Sequence, residues 1–343
     1  MMTQSKARIA LLGIIAFTAS TAAMAAERAR VIQTNSAGDD VHVIDPATNR
    51  VVGVIHDIEV PHGTVIAPDG SRIYVTQEPT ETLDVVDAKS LKATARIKLS
   101  GRPNNLAVTN DGRKVYVGIA QAPGAIDVID TASLTNLKSI PVDGAIHNVY
   151  VTPDGKYAVA GSIPTHVINV IDTATDTMAW TVKLSGGIRP MAFTKNPDGS
   201  TKEIVAQLSD FHGFVLVDFA THQEVKRVTL PDMPGQQKET DGVQGAPAHG
   251  LAITNDGKVL WSTSKWYGYV AAYSLPDLKL LKVVPVGLIP EWLTIPPDGK
   301  NLYVAVAGKD ETVVVDNKTM KVVATIPVGY VPKRNASGLL QTE

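Results

Sequence analysis

Seven hydrophilic residues recur at one place in a repeated pattern, and together they carry most of the chemistry this chain can offer. Asp-Gly turns stand at Asp69, Asp111, Asp154, Asp198, Asp256 and Asp298. Counting back seven residues from each Asp, with two extra before Asp198, gives His62, Asn104, His147, Arg189, His249 and Glu291; the same alignment adds Lys333 near the C-terminus. Neutral imidazoles and a carboxylate suit a divalent ion such as Zn²⁺ or Mn²⁺, so His62, His147, His249 and Glu291 form a candidate metal set. A metal-bound water would then serve as base or nucleophile. Without metal, His147 could act as a general base, Arg189 could steady a developing oxyanion, and Glu291 could complete a catalytic group. Arg189 and Lys333 also suit an anionic group on a ligand, Arg through a planar fork and Lys as a point charge, with Asn104 beside them.

Residues about 42 apart meet only if the chain builds one unit repeatedly. It carries the signature of that. An apolar, β-branched run ends in an acidic or hydroxyl residue, and a second turn-former follows three positions later. The pairs are Asp45/Thr48, Asp87/Ser90, Asp130/Ser133, Asp172/Thr175, Asp218/Thr221, Ser274/Asp277 and Asp316/Thr319, with first members spaced 42, 43, 42, 46, 56 and 42 residues apart. A period of this size marks a repeat architecture. Within one period, Leu106–Thr109, Lys114–Gly118, Ala125–Ile129 and Leu137–Val142 read as four short strands, with no sustained helical periodicity. The expected fold is all-β: a seven-bladed β-propeller with four antiparallel strands per blade. There are seven Asp/Ser phrases but six Asp-Gly turns. The seventh blade is therefore shared, with three strands from the N-terminal side (Arg30–Thr34, Val41–Ile44, Val51–Ile55) and one from the C-terminal side (Val331–Ala336), closing the ring without an open edge.

The repeated Asp and Ser/Thr residues are turn formers in this reading, since such side chains cap nearby backbone N–H groups. The chain shows no phosphate-cradling loop, nucleophile elbow or His-Glu-x-x-His zinc motif. Tyr74-Val75-Thr76-Gln77, between its Pro-Asp-Gly turn and the following Val-Val-Asp, resembles the YVTN-type β-propeller repeat. Tyr116-Val117-Gly118 and Tyr303-Val304-Ala305 are weaker copies, and Val286–Pro290 and Val328–Pro332 match the segment entering the first strand. The resemblance covers nearly the whole chain after its leader and implies the propeller fold. Propellers of this kind include surface-layer-type proteins, single-stranded DNA binders, subunits of amine dehydrogenases and domains of copper enzymes, and others are lactonase-like, so fold alone does not select the function.

Lys6 and Arg8, the apolar stretch Ile9–Ala23 and the small-x-small Ala23-Met24-Ala25 read as a secretory signal peptide over residues 1–25, cut before Ala26, with a single propeller domain over 26–343. A soluble periplasmic or secreted protein without membrane anchor is expected. The absence of cysteine excludes thiolate metal sites, thiol nucleophiles and thioether-linked heme. A net charge of −2 with no basic block, and 18 aromatic residues, argue against duplex or single-stranded nucleic acid as a partner.

The longest irregularity is Pro231–Ala246, a polar, Gly- and Pro-rich insertion just before His249, expected to run over the channel mouth as a lid or specificity loop. Met233, Gln236, Lys238 and Asp241 are its candidate ligand contacts. Loops expected on the same face carry Glu78, Asp210 and His212, Lys265, Trp266 and Tyr267, and Lys309 and Asp310; the two aromatics could stack on a sugar or aromatic ligand. Trp292 is expected to pack between blades. The leading expectation is a monomeric binding or scaffold propeller that recognises a small molecule, a glycan or another exported protein. A lactonase- or lyase-like enzyme and an accessory subunit of a periplasmic redox enzyme stand as alternatives.

Overall fold

The computed structural model describes residues 26–342. They form seven four-stranded sheets, each antiparallel throughout. Six are consecutive in sequence. The seventh pairs the C-terminal strand Pro332–Thr342 with Ala26–Asn35, followed by Asp40–Asp45 and Arg50–Ile55. The expected three-plus-one closure is therefore present, with a longer seal than the sequence suggested: the pairing runs from Ala26 opposite Thr342 to Asn35 opposite Pro332. The proposed signal peptide lies outside the described residues. Among those described, no helix is long and apolar enough to cross a membrane.

The innermost strands are Pro61–Ile66, Pro103–Val108, Ile146–Val151, Ile188–Lys195, Leu251–Ile253, Pro290–Thr294 and Pro332–Thr342. Each packs against the next, and the last meets the first, so the seven enclose one axis. The apolar core lies between neighbouring blades. Leu83, Val85 and Ile97 of the first complete blade, for example, pack with Leu106, Val115 and Val117 of the second. β-Branched residues dominate these faces because both faces of a propeller blade are covered.

The repeated phrase proves to be turn chemistry. Asp87 Oδ1 accepts hydrogen bonds from Ser90 N (2.8 Å) and Ser90 Oγ (2.7 Å), and Asp130, Asp172, Asp218 and Asp316 do the same three residues on. These N–H donors hold the Asp87, Asp130, Asp218 and Asp316 carboxyls below their ordinary range.

Inner strands lie unusually close together. A Cβ on Gly63 would stand 2.9 Å from the Asn104 carbonyl, and one on Gly250 would stand 3.0 Å from that of Glu291. Threonines on the second strands fasten the ring: Thr34 Oγ1 donates to the His62 carbonyl at 3.0 Å, and Thr76 Oγ1 donates to that of Asn104 at 2.7 Å.

Candidate functional site at the channel mouth

Six of the seven aligned residues are the second residue of their inner strand and lie in distorted backbone, while His249 sits two residues before the strand Leu251–Ile253. Register slips between Pro61 and Thr64, Pro103 and Leu106, Ile146 and Asn148, Ile188 and Met191, and Pro290 and Trp292, so His62, Asn104, His147, Arg189 and Glu291 each sit inside a bulge. The pairing opposite Lys333 is broken in the same way. A bulge interrupts the alternation of side chains, so two successive residues can face the same space. This accounts for three channel residues that the sequence reading did not assign there: Asn148, Trp292 and Arg334, each one position beyond its ring residue.

Arg334 occupies the axis. It is 1% exposed, donates to Asn148 Oδ1 (2.7 Å) and Asn104 Oδ1 (2.6 Å), and lies over the Trp292 ring at 4.2 Å. Trp292 thus lines the channel, not the seam between blades. Burial lowers the Arg334 pKa to about 10, leaving the guanidinium charged.

The imidazoles divide into two settings. His147 and His249 meet edge to face with ring centroids 5.2 Å apart, although they stand two blades apart. His62 is drawn to Glu78 through Nδ1, while its Nε2 is buried without a partner. His249 Nδ1 lies 2.8 Å from Glu291 Oε2, close but not aligned as a hydrogen bond. His147 Nδ1 lies 2.5 Å from Asn148 Nδ2. Burial depresses all three: His62 falls to about 4, partly offset by Glu78; His249 falls to about 3, partly offset by Glu291; His147 lies well below the ordinary value, with Arg334 adding to the effect. They are neutral at pH 7. Among the described residues, no three His, Asp or Glu side chains are gathered to hold one metal ion.

Glu291 is ionised. Burial alone would raise its pKa, but Lys265 and then His249 and Lys333 outweigh burial and hold it well below its ordinary value. Lys265, placed on a loop by the sequence reading, is 2% exposed and forms a 2.7 Å ion pair with Glu291 Oε1. Arg189 donates to Ser209 Oγ and to the Gln244 carbonyl, both at 2.8 Å. Lys333 is half-buried and has neither a hydrogen bond nor an ion pair among the described residues.

The insertion covers one side of this mouth, as expected. The Gln244 carbonyl accepts from Arg189, the Gly242 carbonyl accepts from Lys265 Nζ (3.3 Å), and Asp210 N donates to Gly245 O (2.9 Å). Asp210 is exposed at the rim. Trp266 and Tyr267 are occupied by the insertion: Lys238 Nζ lies 4.3 Å over the Trp266 ring, and Tyr267 Oη donates to Asp232 at 3.0 Å. His212 is buried beneath them, 2.8 Å from Ser264 Oγ, and burial lowers it to about 4. Met233 packs into the apolar cluster below, while Gln236, Lys238 and Asp241 are exposed.

The profile of the cytochrome D1 heme domain family matches residues 29–212, more than half of the chain. The chain belongs to the cytochrome D1 heme domain family. Among solved structures, this family member is similar to a Kuenenia stuttgartiensis hydrazine synthase chain (22% identity, TM-score 0.73, covering 89% of this chain and 99% of that one). It is also similar to the Pseudomonas aeruginosa periplasmic gluconolactonase (18% identity, TM-score 0.72, covering 91% and 99%) and to a dihydro-heme d1 dehydrogenase (18% identity, TM-score 0.65, covering 87% and 63%). At these identities the likeness establishes the fold. No curated protein matches the chain.

The family name implies heme, and the residues present do not fit one. An axial imidazole needs a free flat slot in front of its nitrogen. Here His147 and His249 pack against each other, Trp292 is covered by Arg334, and Arg334 is pinned across the axis by two asparagines. The cationic side chains would welcome acidic substituents, but a macrocycle could reach the imidazoles only by displacing Arg334 from Asn104, Asn148 and the Trp292 ring.

Proposed function

We propose that this protein is an exported receptor for small anionic solutes, with the ligand's acid group held at the channel mouth. The carrying observation is a local surplus of positive charge with one cation left free. Among the described residues, Arg189, Lys265, Lys333 and Arg334 face two buried or half-buried carboxylates, Glu78 and Glu291, and the exposed Asp210 beside Arg189. The chain as a whole carries −2, so the surplus is not a general property of its surface. Lys265 and Glu291 neutralise each other, Arg334 is committed to two asparagines, and of these four cations Lys333 makes no hydrogen bond or ion pair among the described residues. Burying unneutralised charge is costly, and a bound anion removes that cost.

The neutral imidazoles have depressed pKa values, which makes them hydrogen-bonding groups more than proton-abstracting bases at neutral pH. The positive surroundings also oppose capture of a metal cation. Both points favour recognition over hydrolysis. The leader-like N-terminal sequence places the receptor outside the cytoplasm in this reading. Calorimetric titration with sodium propionate tests it: Lys333→Met should lose most of the binding with unchanged thermal unfolding, and undiminished binding by that variant would remove Lys333 from the site.

A further inference from the structure

The three imidazoles of the mouth are not equivalent, and the polar group nearest each Nδ1 decides which ring nitrogen carries the proton. Arg334 NH1 donates to Asn148 Oδ1 at 2.7 Å, so the Asn148 amide nitrogen faces His147 Nδ1. An amide nitrogen only donates. His147 Nδ1 therefore accepts, and its proton resides on Nε2. His62 and His249 present Nδ1 to the carboxylates of Glu78 and Glu291, which only accept. Their protons reside on Nδ1, and each Nε2 is left as a bare lone pair. Among the described residues neither Nε2 has a protein donor, and that of His62 is fully buried. A buried acceptor without a donor costs free energy until a ligand or water supplies one.

We infer that the ligand of this site is a hydroxy-carboxylate, an anion whose acid group meets Lys333 while its hydroxyl groups donate to the Nε2 lone pairs of His62 and His249. This rests on the anion-binding reading above. A plain carboxylate has no donor for those lone pairs. An ammonium group would have one, but Arg189, Lys265, Lys333 and Arg334 repel it. A hydroxyl is the neutral donor that remains. His147 supplies an Nε2–H to an oxygen on the same ligand. Arg334 is a positioning residue here: it acts on His147 only through Asn148.

Propionate, lactate and glycerate share one charge and one carbon skeleton and carry zero, one and two hydroxyls. Titrated calorimetrically into the wild-type protein, they should bind with affinity rising roughly fivefold per hydroxyl, the yield of one added hydrogen bond. His249→Phe should flatten the rise, bringing the glycerate-to-propionate affinity ratio down by roughly fivefold. Equal affinity for all three acids would overturn the hydroxyl inference and leave anion binding standing; failure of all three to bind would overturn both. The tautomers offer a test without any variant. Long-range ¹H–¹⁵N correlation of the ring nitrogens should show Nδ1–H at His62 and His249 but Nε2–H at His147, and the reverse assignment at His62 or His249 would overturn the inference.

Discussion

Lowering the pH from 7 to 5 should destabilise this protein well before its carboxylates titrate. His62, His212 and His249 are buried and neutral, with pKa values depressed chiefly by burial, to about 4 for His62 and His212 and about 3 for His249; His147 is lowered in the same direction and adds to the effect. In the unfolded chain each returns to an ordinary value of about 6.5. Between those values the unfolded state binds protons that the folded state refuses, so stability falls as pH falls through this window. One such imidazole contributes a loss of about 2 kcal/mol between pH 7 and pH 5, and the three together about 6 kcal/mol, a large part of a typical domain's stability. Glu291 does not offset this: its pKa is also depressed, so its contribution is present above its unfolded value and is lost only at still lower pH. Urea unfolding at a series of pH values should give a slope of about 4 kcal/mol per pH unit or steeper around pH 5, matching about three or more extra protons bound on unfolding. His62→Gln should reduce that slope by about one proton. A midpoint unchanged from pH 7 to pH 5 would refute the claim that these rings are buried and neutral.

Other expectations follow from the ring and its cover. Deleting Pro332–Thr342 removes the strand that pairs with Ala26–Asn35 and closes the ring, and circular dichroism should show loss of cooperative unfolding, not a modest shift in midpoint. Replacing residues 233–245 with a short Gly-Ser linker strips carbonyl partners from Arg189 and Lys265; stability should fall by about 2–3 kcal/mol, while stopped-flow measurements show faster ligand association. Asp87→Ala should cost about 1 kcal/mol in chemical denaturation and leave ligand binding intact, because Asp87 closes a turn through Ser90.

The architecture was legible because it is periodic. Asp-Gly turns and Asp-x-x-Ser/Thr phrases recur in phase, and the missing seventh Asp-Gly turn locates the shared blade. The ring positions were legible for the same reason, and the insertion was found as a break in the period. Arg334, Asn148 and Trp292 were not placed at the axis, because a strand read from sequence alternates its side chains and these strands bulge at the mouth. One signal was available. The position after each ring residue reads Gly63, Asn105, Asn148, Pro190, Gly250, Trp292 and Arg334, a small or amide-rich series broken by one large aromatic and one cation. The burial of Lys265 was hidden for a different reason: its partner Glu291 lies 26 residues away on another blade, and only the closed ring brings them together.

The most direct test of anion recognition at the channel mouth is a crystal structure of the protein soaked with glycerate. The carboxylate should lie against Lys333, with hydroxyl oxygens within hydrogen-bond reach of His62 Nε2 and His249 Nε2. Glycerate bound only in a groove between outer strands, with the mouth side chains undisturbed, would contradict it.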